Sequence, residues 1–223
     1  MLTPAQAASV AADLIKAEPY TYRQRLEVQE QYLTGTHSSV YTPKSAKGEY
    51  RWLVERSQVN ILPLVIDTLA QALYVDGWRG QSDEDDPPGP WRVWQANRMD
   101  ARQTAVHRSA LAHGEAFCGD TAPVLRPVGP ADMYAVYEDQ VNDEWPILAL
   151  ERRGKTWRLH EPEYSHELTY DGNAFVHVST LRNGLAVTPV VRFVNRLDLT
   201  GRVVGEIDPL IKVQDQINST TFG

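Results

Sequence analysis

Apolar residues recur every three or four positions over the first half of the chain, the spacing that collects side chains on one face of an α-helix. The clearest helix follows Asn60, its predicted cap, and has Pro63 in its first turn and an apolar stripe of Leu62, Val65, Ile66, Leu69 and Leu73. Four more helices are predicted: Pro4–Ala17 capped by Thr3, about Tyr22–Leu33 ending at Gly35, Trp91–Asn97, and one capped by Asp100 that runs to about Phe117.

The helix that runs to Phe117 has a face of small and apolar residues: Val106, Ala110, Leu111, Gly114 and Phe117. In that face Gly114 indicates close packing against a neighbouring element. The other segments of this half differ in character: we expect residues 37–48 to form an exposed connection, 74–78 a short strand, and 83–90 a turn-rich acidic loop.

After Cys118 the pattern changes to an alternation with a period of two, which is typical of β-strands. Six strands are predicted: 134–137, 147–152, 156–159, 167–170, 175–178 and 190–194. No crossover helix fits between strands this close in sequence, so they should pair antiparallel. The fold class is therefore α+β, with N-terminal helices packed against an antiparallel sheet region.

A final helix is predicted near the end of the chain. Asp208 is its expected cap and Pro209 its first residue, and Leu210, Val213 and Ile217 share one face. The sequence reaches Gly223 without an obvious partner for this apolar stripe.

Length and composition place the chain among ordinary globular proteins, since 223 residues correspond to one large domain or two small ones. The sequence contains no apolar run long enough for a transmembrane helix and no secretory signal. Cys118 is the only cysteine, which excludes an internal disulfide and a cysteine-built zinc site. A soluble protein from a reducing compartment is expected.

The charge balance argues against a protein that grips DNA. Lys and Arg number 22 against 29 Asp and Glu, which gives a net charge of −7 and a field that opposes tight non-specific binding of phosphates. The densest basic cluster, Arg152, Arg153 and Lys155, is interpreted as a solvated hairpin end because Glu151 partly offsets it.

Catalytic motifs for phosphate loops, dinucleotide binding, zinc hydrolysis and serine hydrolysis do not occur, and we predict no catalytic, cofactor-binding or metal-binding residue. The run Asp83–Asp86 can bind a cation, but it lacks the spacing of a calcium loop, and a solvated loop is the preferred interpretation. Cys118 is expected to be buried rather than nucleophilic. The glycosylation pattern at Asn218 is interpreted as incidental. The six histidines are interpreted as ordinary surface or hydrogen-bonded side chains: His37, His107, His113, His160, His166 and His177.

Tryptophan is the one enriched residue type that suggests a ligand. The six tryptophans are Trp52, Trp78, Trp91, Trp94, Trp145 and Trp157. Flat amphipathic rings suit a sugar or peptide site, whereas core and subunit-interface packing is their more common use. Trp91 and Trp94, three residues apart, fit one helix face and favour packing.

Three stretches of the sequence resemble the portal proteins of tailed bacteriophages, especially those of phages that infect actinobacteria. Tyr32–Gly35 with the downstream Pro43 is similar to the turn after the opening helices of that family. Asn60–Trp78 is similar to its helix-then-strand element. The most specific stretch runs from Pro189 through Arg196 to Asn218.

The resemblance implies a subunit of a ring, usually dodecameric, at one capsid vertex, and therefore a virion protein that resides in the host cytoplasm before assembly. The implied partners are further copies of the chain, the major capsid and scaffold proteins, the terminase motor, the head-tail adaptor, and double-stranded DNA that passes through without sequence-specific binding. A membrane partner is not implied.

Two departures from the family pattern set the expected domains. Portal proteins are longer, and residues 118–130 are shorter and richer in proline than the expected strand pair. We therefore expect residues 1–118 to form a mainly helical part of the outer wing, 119–205 an antiparallel β part of the wing, and 206–223 the start of a helix towards the stem.

Two alternatives stay open at this point. One is a wing-only or degenerate prophage fragment that folds without assembling, suggested by the unpartnered stripe of the last helix. The other is an enzyme or carbohydrate-binding module that uses the tryptophans and the acidic run.

Overall fold

A computed structural model describes residues 1–37, 45, 47–77, 89–120 and 123–222. The helices are α1 (Pro4–Ala17), α2 (Tyr20–Thr34), α3 (Gly48–Ser57), α4 (Leu62–Gln71), α5 (Gly89–Ala96), α6 (Met99–His113) and α7 (Ile207–Phe222). The strands are β1 (Glu115–Gly119), β2 (Pro127–Val128), β3 (Met133–Val136), β4 (Leu148–Arg153), β5 (Thr156–His160), β6 (Tyr164–Tyr170), β7 (Phe175–Arg182) and β8 (Val190–Val194). The predicted α+β class is confirmed.

The strands form two antiparallel sheets. A small sheet has the order β2-β1-β8, and a large sheet has the order β3-β4-β5-β6-β7. The six strands predicted after Cys118 are all present, and their antiparallel pairing is confirmed. β6 and β7 are longer than predicted because their pairing continues beyond the alternating stretch, past an irregularity between Glu167 and Leu168.

Helix α1 covers one face of the large sheet. Alternate strand residues Leu150, Leu159 and Leu168 point to this face and pack, with Phe175, against the helix. Ala7 and Ala11 are fully buried at the contact, and their small side chains let the helix approach the strands closely. The predicted cap is confirmed, since the Thr3 side chain accepts a hydrogen bond from the Gln6 backbone N–H.

Helices α2, α4, α6 and α7 form a second core, in which α4 packs on the other three. The stripe predicted on α4 is only half buried: Leu62 and Ile66 lie in the core, whereas Leu69 and Leu73 are exposed. The helix ends at Gln71, and its buried residues are Leu62, Ile66 and Ala70, a narrower stripe than the predicted one. The cap position of α4 is Ile61 and not the predicted Asn60. The Asn60 side chain accepts a hydrogen bond from the Leu62 backbone N–H at 3.4 Å and donates one to the Tyr32 carbonyl.

The predicted helix from Asp100 to Phe117 is wrong at both ends. The cap position is Arg98, and the Asp100 carboxylate instead accepts a hydrogen bond from Trp94 Nε1 at 3.0 Å. The helix ends at His113, and Phe117 lies in β1. The cause is tertiary: residues 115–119 pair with β8, and Gly114, at a φ of 97°, turns the chain from the helix into the strand.

The segments on either side of α4 also differ from prediction. Helix α3 was not predicted; its many polar residues give it a weak periodic pattern. Residues 74–77 are not a strand, and Trp78 lies outside the described residues, as do 83–86. The backbone of Val75 is bonded instead to the buried side chain of Gln103. This side chain accepts a hydrogen bond from the Val75 N–H at 2.7 Å and donates one to the Val75 carbonyl at 3.3 Å.

Helix α7 docks on the other helices through polar side chains. It begins at Ile207, so Asp208 lies within it and accepts hydrogen bonds from Gln29 at 2.7 Å and from the Gly205 N–H at 3.1 Å. Gln214 is fully buried and bonds the backbone of Val59 and Ile61.

The expectation of an unpartnered stripe on α7 is wrong for part of that stripe. Leu210 packs against the core of the helical half and Ile217 is half-buried, whereas Val213 is exposed. Asn218 is buried and accepts a hydrogen bond from the Val59 N–H at 3.2 Å. Its side chain is therefore not presented for glycosylation in the folded protein.

The close packing predicted at Gly114 is confirmed and yields a stability test. A Cβ there lies 2.7 Å from Val203 Cγ1 and 2.8 Å from the Val204 backbone. We expect Gly114→Ala to lower the free energy of unfolding by about 3 kcal/mol, from backbone strain plus overpacking. Gly172 is the matched control, because its φ is 100° and nothing lies within 4 Å of its Cβ position. Gly172→Ala should cost about 1 kcal/mol; equal losses in urea denaturation would contradict the packing argument.

Candidate functional site

A cluster of charged side chains lies where the two sheets meet. It contains three arginines, three carboxylates and one histidine, and we call it the charge cluster: Asp120, Arg126, Glu151, Arg153, Arg158, His160 and Glu167. Strands β4 and β5 supply the central residues, and the ends of β1 and β2 supply Asp120 and Arg126.

The alternation of β4 and β5 explains why these charges collect on one face. Leu150 and Leu159 point towards α1, so the neighbouring positions Glu151, Arg158 and His160 point to the opposite face. Glu151 and Arg158 are direct partners across the strands. The large sheet is therefore apolar on the α1 side. Its opposite face carries these charges beside Met133 and Ala149, which pack in an apolar cluster with Phe117, Val128 and Val190 of the small sheet.

Glu151 is the centre of the charge cluster and has no solvent exposure. Its carboxylate accepts a hydrogen bond from Arg153 Nε at 2.7 Å, contacts Arg126, and lies 3.3 Å from His160 Nε2. Arg158 continues the network by donating to Asp120 at 2.7 Å and to Glu167 at 2.6 Å. A buried carboxylate without such partners costs several kcal/mol, so the arginines are what permit Glu151 at this position.

His160 is held neutral inside the charge cluster. Burial, together with the nearby Arg153 and Arg158, lowers the pKa of His160 to about 3. Its Nδ1 lies 2.9 Å from Ser165 Oγ, so Ser165, His160 and Glu151 form a chain that resembles a serine triad in composition. All three side chains have no solvent exposure, and none lines either cleft that the structure describes. This arrangement of Ser165, His160 and Glu151 is therefore closed to substrate. Its contacts link the neighbouring strands β4, β5 and β6.

The hairpin-end interpretation of the basic cluster is wrong for one residue. Lys155 is exposed, and Arg152 pairs with Asp132 at 2.7 Å on the surface. Arg153, however, turns into the charge cluster and contacts both Asp120 and Glu151. Strand β4 continues to Arg153, and this last residue falls on the polar face of the sheet.

A cleft of about 870 Å³ lies between α2 and the segment 129–134 that leads into β3, and we call it the α2 cleft. Its floor is apolar, with Leu26, Met133 and Leu150 buried. The other large apolar or aromatic side chains that line it are Ile15, Tyr134, Trp157 and Tyr170.

The α2 cleft has an excess of negative charge. Four carboxylates and two guanidinium groups line it: Glu18, Glu27, Glu30, Asp132, Arg23 and Arg152. Both arginines are already paired, Arg23 with Glu18 and Arg152 with Asp132. Within the described residues, neither Glu27 nor Glu30 has an ion pair with lysine or arginine.

The histidine beside Glu30 does not neutralise it. His113 Nε2 lies 3.7 Å from the Glu30 carboxylate, and burial, followed by the charge of Arg25, lowers the pKa of His113 to about 4. The imidazole is therefore uncharged at neutral pH. Its Nδ1 lies 3.1 Å from Gln29 Oε1, which links α6 to α2.

The remaining candidates from the sequence do not converge on a site. Cys118 is buried, as predicted, and burial raises the pKa of its thiol to about 11, which opposes a nucleophilic role. Trp91 and Trp94 share a face, as predicted, with ring centroids 6.2 Å apart, whereas Trp157 packs edge-on against Phe175 on the large sheet. Trp52 is exposed on α3, so the described tryptophans form no common platform.

The described side chains include no group of three His, Cys, Asp or Glu placed to hold a metal ion. No described helix has both the length and the apolar character needed to cross a membrane.

Comparison with known proteins gives the class of protein. The family model described as "Phage portal protein, SPP1 Gp6-like" matches residues 13–223, and the chain belongs to this family of phage portal proteins. A curated relative is the portal protein of Mycobacterium phage L5, which is 25% identical over 156 residues. That match covers 61% of this chain and 32% of the relative, so the matched stretch spans about a third of the relative's length. The resemblance identified from the sequence is confirmed.

The charge cluster predicts an unequal response to removing two of its carboxylates. Glu151→Gln keeps the shape of the side chain but leaves Arg126 and Arg153 without their buried partner, and we expect a loss of about 3 kcal/mol in the free energy of unfolding. Glu167 is the control, because its side chain is 40% exposed. Glu167→Gln should cost less than about 1 kcal/mol. Similar losses for both variants in urea denaturation would show that Glu151 is not the centre of the cluster.

The low pKa of His160 predicts that the folded protein loses stability in acid. Its pKa is about 3 in the folded protein and about 6.5 when unfolded, so the unfolded chain binds an extra proton between these values. The stabilisation is complete above about pH 6.5 and is lost as pH falls towards about 3. Near pH 5 the slope of unfolding free energy against pH should be smaller in His160→Gln than in the wild-type protein by up to about 1.4 kcal/mol per pH unit. Equal slopes would contradict a neutral buried imidazole.

Proposed function

We propose that this chain is a structural subunit of a portal ring at one vertex of a phage capsid. The observation that carries the proposal is the family match over residues 13–223, which leaves only the first part of α1 outside it. In this role the ring is the conduit through which DNA enters and leaves, and it is the docking site for the packaging motor and the tail.

The partners follow from that role. They are further copies of the chain, the capsid and scaffold proteins, the terminase and the head-tail adaptor, in the virion and, before assembly, in the host cytoplasm. Double-stranded DNA passes through the ring without sequence-specific contacts. The net charge of −7 supports this, because a wall of the same sign as the phosphates does not retain DNA through release of counterions.

The proposed division of the chain is a helical part of the wing over 1–118, a β part over 119–205, and the start of the stem-directed helix over 206–223. The positions of α2–α6, of β2–β8 and of α7 support this division, whereas β1 (Glu115–Gly119) spans the limit between 118 and 119. The two wing parts share cores, since α1 packs on the large sheet and β1 pairs with β8. We therefore propose that the wing folds as one unit.

Neither alternative function gains support from a specific contact. The non-assembling fragment was motivated by an unpartnered stripe on α7, and Leu210 of that stripe packs in the core of the helical half. The ligand-binding module was motivated by the tryptophans. Of those described, Trp91 and Trp94 stack on each other, Trp157 packs against Phe175, and Trp52 is exposed on α3. Its acidic run, 83–86, lies outside the described residues.

Electron microscopy and native mass spectrometry of the purified chain test the proposal. We expect closed rings of uniform diameter, with twelve copies as the expected number, because a heterologous contact with the correct rotation closes on itself. Monomers or dimers at every protein concentration would contradict it. A control at high salt separates specific rings from charge-driven aggregates, which salt disperses.

A further inference from the structure

Helix α3 presents large apolar side chains to solvent. Trp52 and Leu53 are neighbours on this helix of ten residues and are 56% and 52% exposed. Among the described side chains of α3, Val54 is the buried one, and α3 packs on α7. Clustered exposed apolar side chains of this kind mark an interaction surface in a folded protein.

The same chain offers a concave apolar surface elsewhere. The α2 cleft has a buried floor of Leu26, Met133 and Leu150, and no residue of α3 lines it. Its volume of about 870 Å³ is near the upper end of ordinary ligand pockets and has room for several large side chains. The described part of one copy therefore contains an apolar projection and an apolar recess on separate elements.

The charges on the two surfaces are complementary. Segment 47–57 carries Lys47, Arg51 and Arg56 against Glu49 and Glu55, an excess of one positive charge. Arg56 lies over the ring of Trp52 at 5.1 Å, which places a cation beside the most exposed aromatic side chain of the helix. The α2 cleft has two excess negative charges, and Glu27 and Glu30 carry them without an arginine or lysine partner among the described residues.

We propose that α3 of one copy inserts into the α2 cleft of the neighbouring copy. The inference rests on the proposed portal ring and names the contact that joins its subunits. Two different, complementary patches on one chain make a head-to-tail contact, and such contacts repeat into rings when the rotation closes. Trp52 and Leu53 contact the apolar floor, and Arg56, on the same side of α3, approaches the wall of α2 that carries Glu27 and Glu30.

A charge exchange between the two surfaces tests this contact. Glu27→Lys on the cleft wall and Arg56→Glu on α3 should each weaken self-association about tenfold, measured by sedimentation velocity over a concentration series, because each places like charges together in the interface. The double variant should return to within about threefold of the wild-type association constant, since the charges are again opposite. Trp52→Ala should weaken association at least tenfold through loss of the apolar anchor.

Asp13→Lys is the matched control, because Asp13 is exposed on α1 outside the α2 cleft and the charge change is the same. It should leave association unchanged, and circular dichroism checks that every variant is folded. Association of wild-type strength in both single variants, or a double variant no better than the singles, overturns the α3 contact while leaving the ring intact. A wild-type chain that never associates overturns the proposed function, and the contact with it.

Discussion

The Glu151 carboxylate has no access to water, and its need for cations constrains how the two sheets are joined, beside the apolar contact of Met133 and Ala149 with the small sheet. A buried negative charge is tolerated only where cations reach it, and here Arg126 and Arg153 do so from different parts of the chain. Arg153 also contacts Asp120 at the end of β1, so the charge that Glu151 requires is shared with the small sheet. The charged part of this face is thereby fixed against the small sheet, and the face that carries Leu150, Leu159 and Leu168 is left for α1.

The strands and their antiparallel pairing were predictable because each strand follows a two-residue alternation, whereas their division into two sheets was not predicted. Leu148–Arg153 and Thr156–His160 show that alternation, and the short turn between them requires antiparallel pairing. The end of α6 was not predictable in the same way. Residues 115–119 continue a run that is compatible with a helix, and only the β8 strand, some 70 residues later, makes them a strand. Long-range pairing of this kind overrides local preference, and it leaves no local signal apart from Gly114.

The charge cluster was missed for a related reason. Its signal was present, since Glu151, Arg153, Arg158 and His160 occupy alternate positions opposite the leucines. Such a pattern predicts a polar face, but a polar face towards water and one towards a second sheet have the same sequence. The contacts of Asp120 and Arg126 show that this face meets the small sheet, and both residues lie outside the alternating strands. The α2 cleft is a similar case, because its lining comes from α1, α2, α6 and four strands that no sequence spacing brings together.

The polar docking of α7 sets a limit on how this helix can move. An apolar stripe can slide by one turn against another apolar surface and find nearly equivalent contacts. The amides of Gln214 and Asn218 cannot, since Gln214 bonds the Val59 carbonyl and the Ile61 N–H, Asn218 bonds the Val59 N–H, and hydrogen bonds depend on direction. A pull along the axis of α7 is therefore transmitted to residues 59–61 and into α4. We therefore expect α7 and α4 to move as a coupled pair, joined by these amide bonds and by the packing of Ile207 and Leu210 against α4.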